Sequence, residues 1–345
     1  RENYRINRAP LNMFTNKLSL KFILIILLSF PSATFAVNIN NLVYNELRKN
    51  GTFLNMIRSG VLDERGVKAL AKSPLLNKVE ILGMSGHEMT DNGIAALADS
   101  KYLKKVIVLD LSRNNIGSKG IKALARSENF QNLTNLNLWH NNIEAEGVRA
   151  LAESSNITNL IELDLTANNI GPEGAKAIAH SKSLKKLEVL KIGGNNIGDK
   201  GFAALSQSPY LKNLQVLDVS ENKITSKGIT SLNGSLVIAH LKNLYLQKNL
   251  LRNEGVAILS GLKGLQNLKI LDLQWNEITA DGAAALGSSK YFLNLKNLQL
   301  WGNNIGEEGA RSIVESETLK NVTNTIYPYE DMEKFFPNTG GREDY

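Results

Sequence analysis

Eight asparagines, Asn114, Asn141, Asn168, Asn195, Asn222, Asn249, Asn276 and Asn303, stand 27 residues apart without an insertion, and His87 fills the same slot one period earlier. Six residues further on runs a column of ten glycines, from Gly66, Gly93 and Gly120 to Gly309. A fixed period of this length means that the chain is assembled from copies of one short unit. Such a unit cannot bury an apolar face by itself, so it must stack on its neighbours.

A typical unit reads Leu160-x-x-Leu163-x-Leu165-x-x-Asn168-x-Ile170-x-x-x-Gly174-x-x-x-Ile178. Leu163 and Leu165 alternate as in a short strand, sending their side chains to one face and those of Asp164 and Thr166 to the other. Ala175, Ile178 and Ala179 then follow at helical spacing. Pro172 and Glu173 suit the start of that helix, where a missing N–H and a negative charge both fit. The column asparagine can donate and accept at once, so stacked amides can satisfy backbone groups between repeats. These eight asparagines are read as a structural ladder. The glycines allow close backbone packing, and no Lys-Ser or Lys-Thr follows them to make a phosphate loop.

At these residues the chain resembles the leucine-rich-repeat family, in its ribonuclease-inhibitor-like class with long, helix-containing repeats. The resemblance implies an α/β solenoid, a horseshoe with a parallel β-sheet on the concave face and helices on the convex face. Stacked strands lie about 4.8 Å apart whereas packed helices need roughly 8 to 10 Å, so the stack must bend with its strands inside. The repeats are assigned to residues 63–317, with an N-terminal cap at 37–62 and a C-terminal cap and tail at 318–345. Val322 and Tyr327 read as a decayed final strand.

On such a ribbon the residues flanking the core leucines are free of the fold and carry recognition. One column runs Gly83, Asp110, Asn137, Asp164, Lys191, Asp218, Tyr245, Asp272, Gln299, and the next runs from Ser85 through Trp139, Gln247 and Gln274 to Trp301. The position after it holds Arg113, His140, Glu221, Lys248 and Trp275. All three tryptophans of the chain fall on this face. Tryptophan and tyrosine dominate binding energy at interfaces. Tyr245, Lys248, Asp272, Trp275, Gln299 and Trp301 are therefore the first candidate partner-binding patch, and Trp139 with His140 the second. The bland alternative is that the rings pack on their neighbours and that the aspartates only solubilise. If the acids act, the groove favours a basic partner.

No catalytic, cofactor-binding or metal-binding residue is assigned. His87, His140, His180 and His240 lack metal-ligand spacing, there is no Gly-x-Ser-x-Gly elbow, and the serines Ser127, Ser154, Ser181 and Ser208 read as helix ends. Of the formal net charge of +7, residues 1–36 carry +4, and the remaining +3 is too mild to imply nucleic acid or an acidic membrane. Cysteine is absent, which removes disulfides and, in an exported chain, points to a bacterial origin.

Export is expected from residues 13–36. A basic flank after Met13, the apolar run Phe22–Phe30 and small residues up to Ala36 give the three-part layout of a secretory signal, too short for a membrane span. Residues 1–12 are read as an upstream segment outside the translated product. Phe335–Gly340 resembles a wall-anchoring motif without its apolar tail and is taken as coincidence. The expectation is a secreted, periplasmic or surface module that binds a protein on its concave face, a bacterial factor acting on a host or envelope protein, with no stable membrane span after cleavage. The runner-up is a signalling regulator like the Ran GTPase-activating proteins, which share this repeat but act in the cytosol; a hydrolase comes last.

Overall fold

Each period folds as one three-residue strand and one short helix, because the leucine pair and the Ala/Ile/Leu stripe bury against each other. In the helix Ser118–Arg126 the buried positions are Gly120, Ile121, Leu124 and Ala125, while Lys119 and Lys122 point outward. The computed structural model describes residues 32–56, 62–322 and 324–326. Among them, eleven strands form one parallel sheet whose spatial order is the sequence order. They are β1 (Phe53–Asn55), β2 (Ile81–Gly83), β3 (Val108–Asp110), β4 (Asn135–Asn137), β5 (Glu162–Asp164), β6 (Val189–Lys191), β7 (Val216–Asp218), β8 (Asn243–Tyr245), β9 (Ile270–Asp272), β10 (Asn297–Gln299) and β11 (Asn324–Ile326).

Register is constant along the array. Leu82, Leu109, Leu136, Leu163, Leu190, Leu217, Leu244, Leu271 and Leu298 pair with one another across β2 to β10, and all are buried. Each fully buried leucine contributes roughly 1.5–3 kcal/mol. The sheet also reaches into both segments read as caps: β1 lies within 37–62, and β11 follows Val322. Tyr327 lies outside the described residues, as do the wall-motif segment and the signal-like residues up to 31. The helix Ser32–Asn50 covers the terminal end, with Ile39 and Val43 buried in the core.

The asparagine ladder works as the spacing predicts. Asn222 Nδ2 donates to Ile192 O and Ser220 O at 2.9 and 2.8 Å, while its Oδ1 accepts from Asn195 N and Ile197 N at 3.0 and 3.2 Å. His87 takes its place in the series through Nδ1, which accepts from Leu62 N at 3.1 Å. Burial pushes the His87 pKa down, as a ring kept neutral to accept that bond requires.

A second ladder is less legible from sequence. Ser100, Ser127, Ser154, Ser181, Ser208, Ser235, Ser289 and Ser316 each donate from Oγ to a carbonyl 29 residues earlier, at the end of the preceding helical segment. These serines tie one repeat to the next as well as ending helices, and Leu262 is the gap in the series. The glycine column marks close helix contact: a Cβ on Gly147 would stand 3.0 Å from Ser118 Cα.

Candidate binding surface

The concave face is built from strand residues that point away from the leucines and from the turn that leaves each strand. That turn has a fixed backbone. Gly86, Arg113, His140, Ala167, Gly194, Glu221, Lys248, Trp275 and Gly302 occupy equivalent positions, all with φ between 53° and 74°. Side chains other than glycine are disfavoured there by about 1–2 kcal/mol, so the bulky residues in this column are held against backbone preference. Trp275 is the largest of them.

Trp275 and Trp301 meet edge to face, with centroids 4.7 Å apart and planes at 88°. They pack on each other, as the alternative reading has it, and remain 45% and 43% exposed. Gly302 explains the seat of Trp275, because a Cβ on Gly302 would collide with the indole ring. Trp139 is placed differently. It is half-buried, the Arg113 guanidinium lies 4.5 Å over its ring, and His140 stands exposed beside it at 6.2 Å.

The aspartates of the column close turns. Asp110, Asp164, Asp218 and Asp272 each accept, through Oδ1, the backbone N–H two residues ahead at 2.9–3.0 Å, and Asn137 does the same for Trp139. Sequence reasoning treated them as charges alone; the Asx-turn role follows from their place at the strand end. Their electrostatic settings differ along the groove. Lys191 Nζ stands 2.9 Å from Glu162 and 3.8 Å from Asp164. Burial alone would lower the Lys191 pKa, but these carboxylates and Asp218 raise it.

Further along, no cation forms an ion pair with Asp218 or Asp272 among the described residues. Asp272 is only 5% exposed. Burial, opposed by the hydrogen bond from Gln274 N and reinforced by the charge of Asp218, pushes its pKa up to about 6. Burial also raises Asp218. Tyr245 sits between them in the sheet register, half-buried, and burial raises its hydroxyl pKa as well.

The other candidates fall around this strip. Gln299 is the register neighbour of Asp272, and its Oε1 accepts from Gln274 Nε2 at 2.5 Å. Lys248 is exposed and paired with Glu221 at 2.8 Å. Two covered acceptors, Gln247 Oε1 and Asn297 Oδ1, have no donor. The structure therefore gathers Tyr245, Asp272, Trp275, Gln299 and Trp301 on the last described third of the groove, and leaves Trp139 and His140 as a separate cluster.

A family model described as Leucine Rich repeat matches residues 102–125, 131–152, 156–179, 183–206, 210–232 and 264–287. No curated protein matches the sequence. Among solved structures, a leucine-rich-repeat protein of Leptospira interrogans is 22% identical with a TM-score of 0.47, over 77% of this chain and 63% of its own. An internalin of Listeria monocytogenes is 20% identical with a TM-score of 0.45, over 87% and 96%. A TDR receptor is 20% identical with a TM-score of 0.42, over 77% and 41%. The chain thus spans about two fifths of that receptor and under two thirds of the Leptospira protein. Matched repeats at a 27-residue period, folded into one in-register parallel ribbon backed by helices, give this chain the fold of a leucine-rich-repeat solenoid.

Proposed function

We propose that this protein-interaction module is an exported recognition protein that grips a basic segment of a partner protein on the C-terminal third of its concave face. The observation that carries this reading is the edge-to-face pair of exposed indoles, Trp275 and Trp301, on the turns that leave β9 and β10, with Asp272 at the end of β9 a buried carboxylate outside the ion pairs of the described residues. An arginine or lysine side chain lying on Trp275 and Trp301 gains a cation–π contact and can neutralise Asp272. The donorless acceptors Gln247 Oε1 and Asn297 Oδ1 add to the negative potential there.

We read the role as binding: the perturbed carboxylates Asp218 and Asp272 close turns at the ends of their strands. Export rests on the layout of residues 13–36, and a bacterial source on that layout with the absence of cysteine. No helix of the described residues is long and apolar enough to cross a membrane.

A displayed peptide library tests the reading. Wild type is expected to enrich sequences with arginine or lysine, and Trp275→Ala with Trp301→Ala to lose that enrichment while Trp139→Ala keeps it. Enrichment of acidic or purely apolar peptides, or equal enrichment by all variants, sinks the assignment. N-terminal sequencing of the exported product tests the signal, with a start just after Ala36 expected.

A further inference from the structure

We infer that the chain has a second, independent docking surface: the flat side of the horseshoe formed by the helix-to-strand connections, which fits the face of an anionic lipid bilayer. Every strand of the parallel ribbon is entered from the same end, so the nine connections from 72–80 to 288–296 lie along one side. These connections hold fourteen lysines and Arg126 against five carboxylates. All fifteen cations are exposed. The low net charge of the chain conceals this excess because negative charge gathers elsewhere.

Lys296 aside, none of these cations stands in an ion pair among the described residues. Lys242 and Lys269 even stand on directly bonded neighbouring backbones, with Lys269 N donating to Lys242 O at 2.7 Å. Like charges in adjacent register repel. An opposing anionic surface removes that cost.

Apolar side chains single out a bilayer among polyanions. Ile107, Ile161, Leu236 and Leu293 lie on these same connections and are 38–62% exposed. Ile107 and Ile161 line a groove together with Lys105, Lys186 and Glu80. Tyr102, Tyr210 and Tyr291 recur half-buried in one slot of the same side. Lysine stems flanking aliphatic and tyrosyl side chains match a headgroup layer over an acyl boundary. A phosphodiester backbone offers nothing to the aliphatic groups, and lysine in place of arginine suits point-charge attraction over bidentate recognition. The side of a curved ribbon also meets a plane along its whole length, which its inner and outer surfaces cannot do.

Because the chain has no cysteine, single-cysteine variants report contact cleanly. Leu293→Cys on this side and Leu250→Cys on the opposite side, both exposed in wild type, are labelled with an environment-sensitive dye in the full-length chain. They are mixed with phosphatidylcholine vesicles with and without phosphatidylglycerol. The dye at 293 is expected to shift to the blue only with anionic vesicles, the dye at 250 not at all, and the shift to vanish at about 0.5 M salt, where screening shortens to a few ångströms. Reversing Lys104, Lys105, Lys185 and Lys186 to glutamate should weaken half-saturation by roughly tenfold or more. No shift at 293, an equal shift at 250, or an equal response to neutral vesicles overturns the proposal. So does competition by duplex DNA or polyglutamate that matches the vesicles, which would assign the side to a soluble polyanion or an acidic protein.

Discussion

The two ends of the concave groove carry similar residues in opposite circumstances. Towards the N-terminus, Trp139 is covered by Arg113, and Glu162 and Asp164 share Lys191. Towards the C-terminus, Trp275 and Trp301 meet edge to face and stay 45% and 43% exposed, and Asp272 forms no ion pair among the described residues. Identical residue types are thus internally satisfied in one region and left poised in the other. A surface becomes a binding site through what its groups still lack, and composition alone does not reveal that.

The largest expected effect tests the contrast directly. Replacing Trp275 and Trp301 together with alanine should cost about 2 kcal/mol or more in affinity for a basic peptide, roughly thirtyfold, as hot-spot aromatics do. Trp139→Ala should cost under about 0.5 kcal/mol by the same calorimetric titration. Comparable losses at both ends would erase the distinction.

Asp272 supplies the next test through its pH dependence. Its folded-state pKa lies near 6 against an ordinary 3.8, so the fold holds this proton more tightly than the unfolded chain does. Stability from this group is fully present below the lower value, falls as pH rises between the two, and stays reduced above about 6. Asp272→Asn keeps the turn-closing acceptor that Asn137 already provides one region earlier. The variant should therefore be more stable than wild type at pH 7.5, by on the order of 1–3 kcal/mol, with the gain fading towards pH 4. Affinity for a cation should move the other way, dropping in wild type as pH falls through about 6 and weak at every pH in the variant. Denaturant melts and titrations across that range read both signs; a variant that loses stability at pH 7.5 contradicts the account.

Gly302→Val should displace the Trp275 ring and force a β-branched residue to φ +74°. A loss of about 1–2 kcal/mol in stability is expected, with a severalfold weaker affinity and a changed tryptophan emission. The smallest effect is at the other end. Arg113→Ala removes a cation–π contact of about 0.5–1 kcal/mol and uncovers Trp139, so any change there should be towards measurable binding of basic peptides.

Much of the architecture was legible in the repeat. The Asn114 to Asn303 ladder, the leucine register and the helix stripe all follow from side-chain periodicity, and each appears where the spacing puts it. The serine ladder was half legible, because Ser100 and its successors share the period but their carbonyl partners belong to another repeat. The candidate patch was legible as a set of columns, but its division into a satisfied and an unsatisfied end was not. Arg113 and Trp139 lie 26 residues apart, and nothing local says that the guanidinium turns onto the ring. The left-handed turn column was hinted at only by glycines at 86, 194 and 302.

The sequence by itself determined that this is a stacked, curved ribbon, because a strict period with one apolar face per unit has no other way to hide that face from water. It also determined which columns face the groove. Only the tertiary structure decided which charges are paired, which carboxylate is desolvated, and which edge collects exposed lysines. Those properties depend on distances of a few ångströms between repeats, and electrostatic energy changes steeply over that range while the sequence spacing stays at 27.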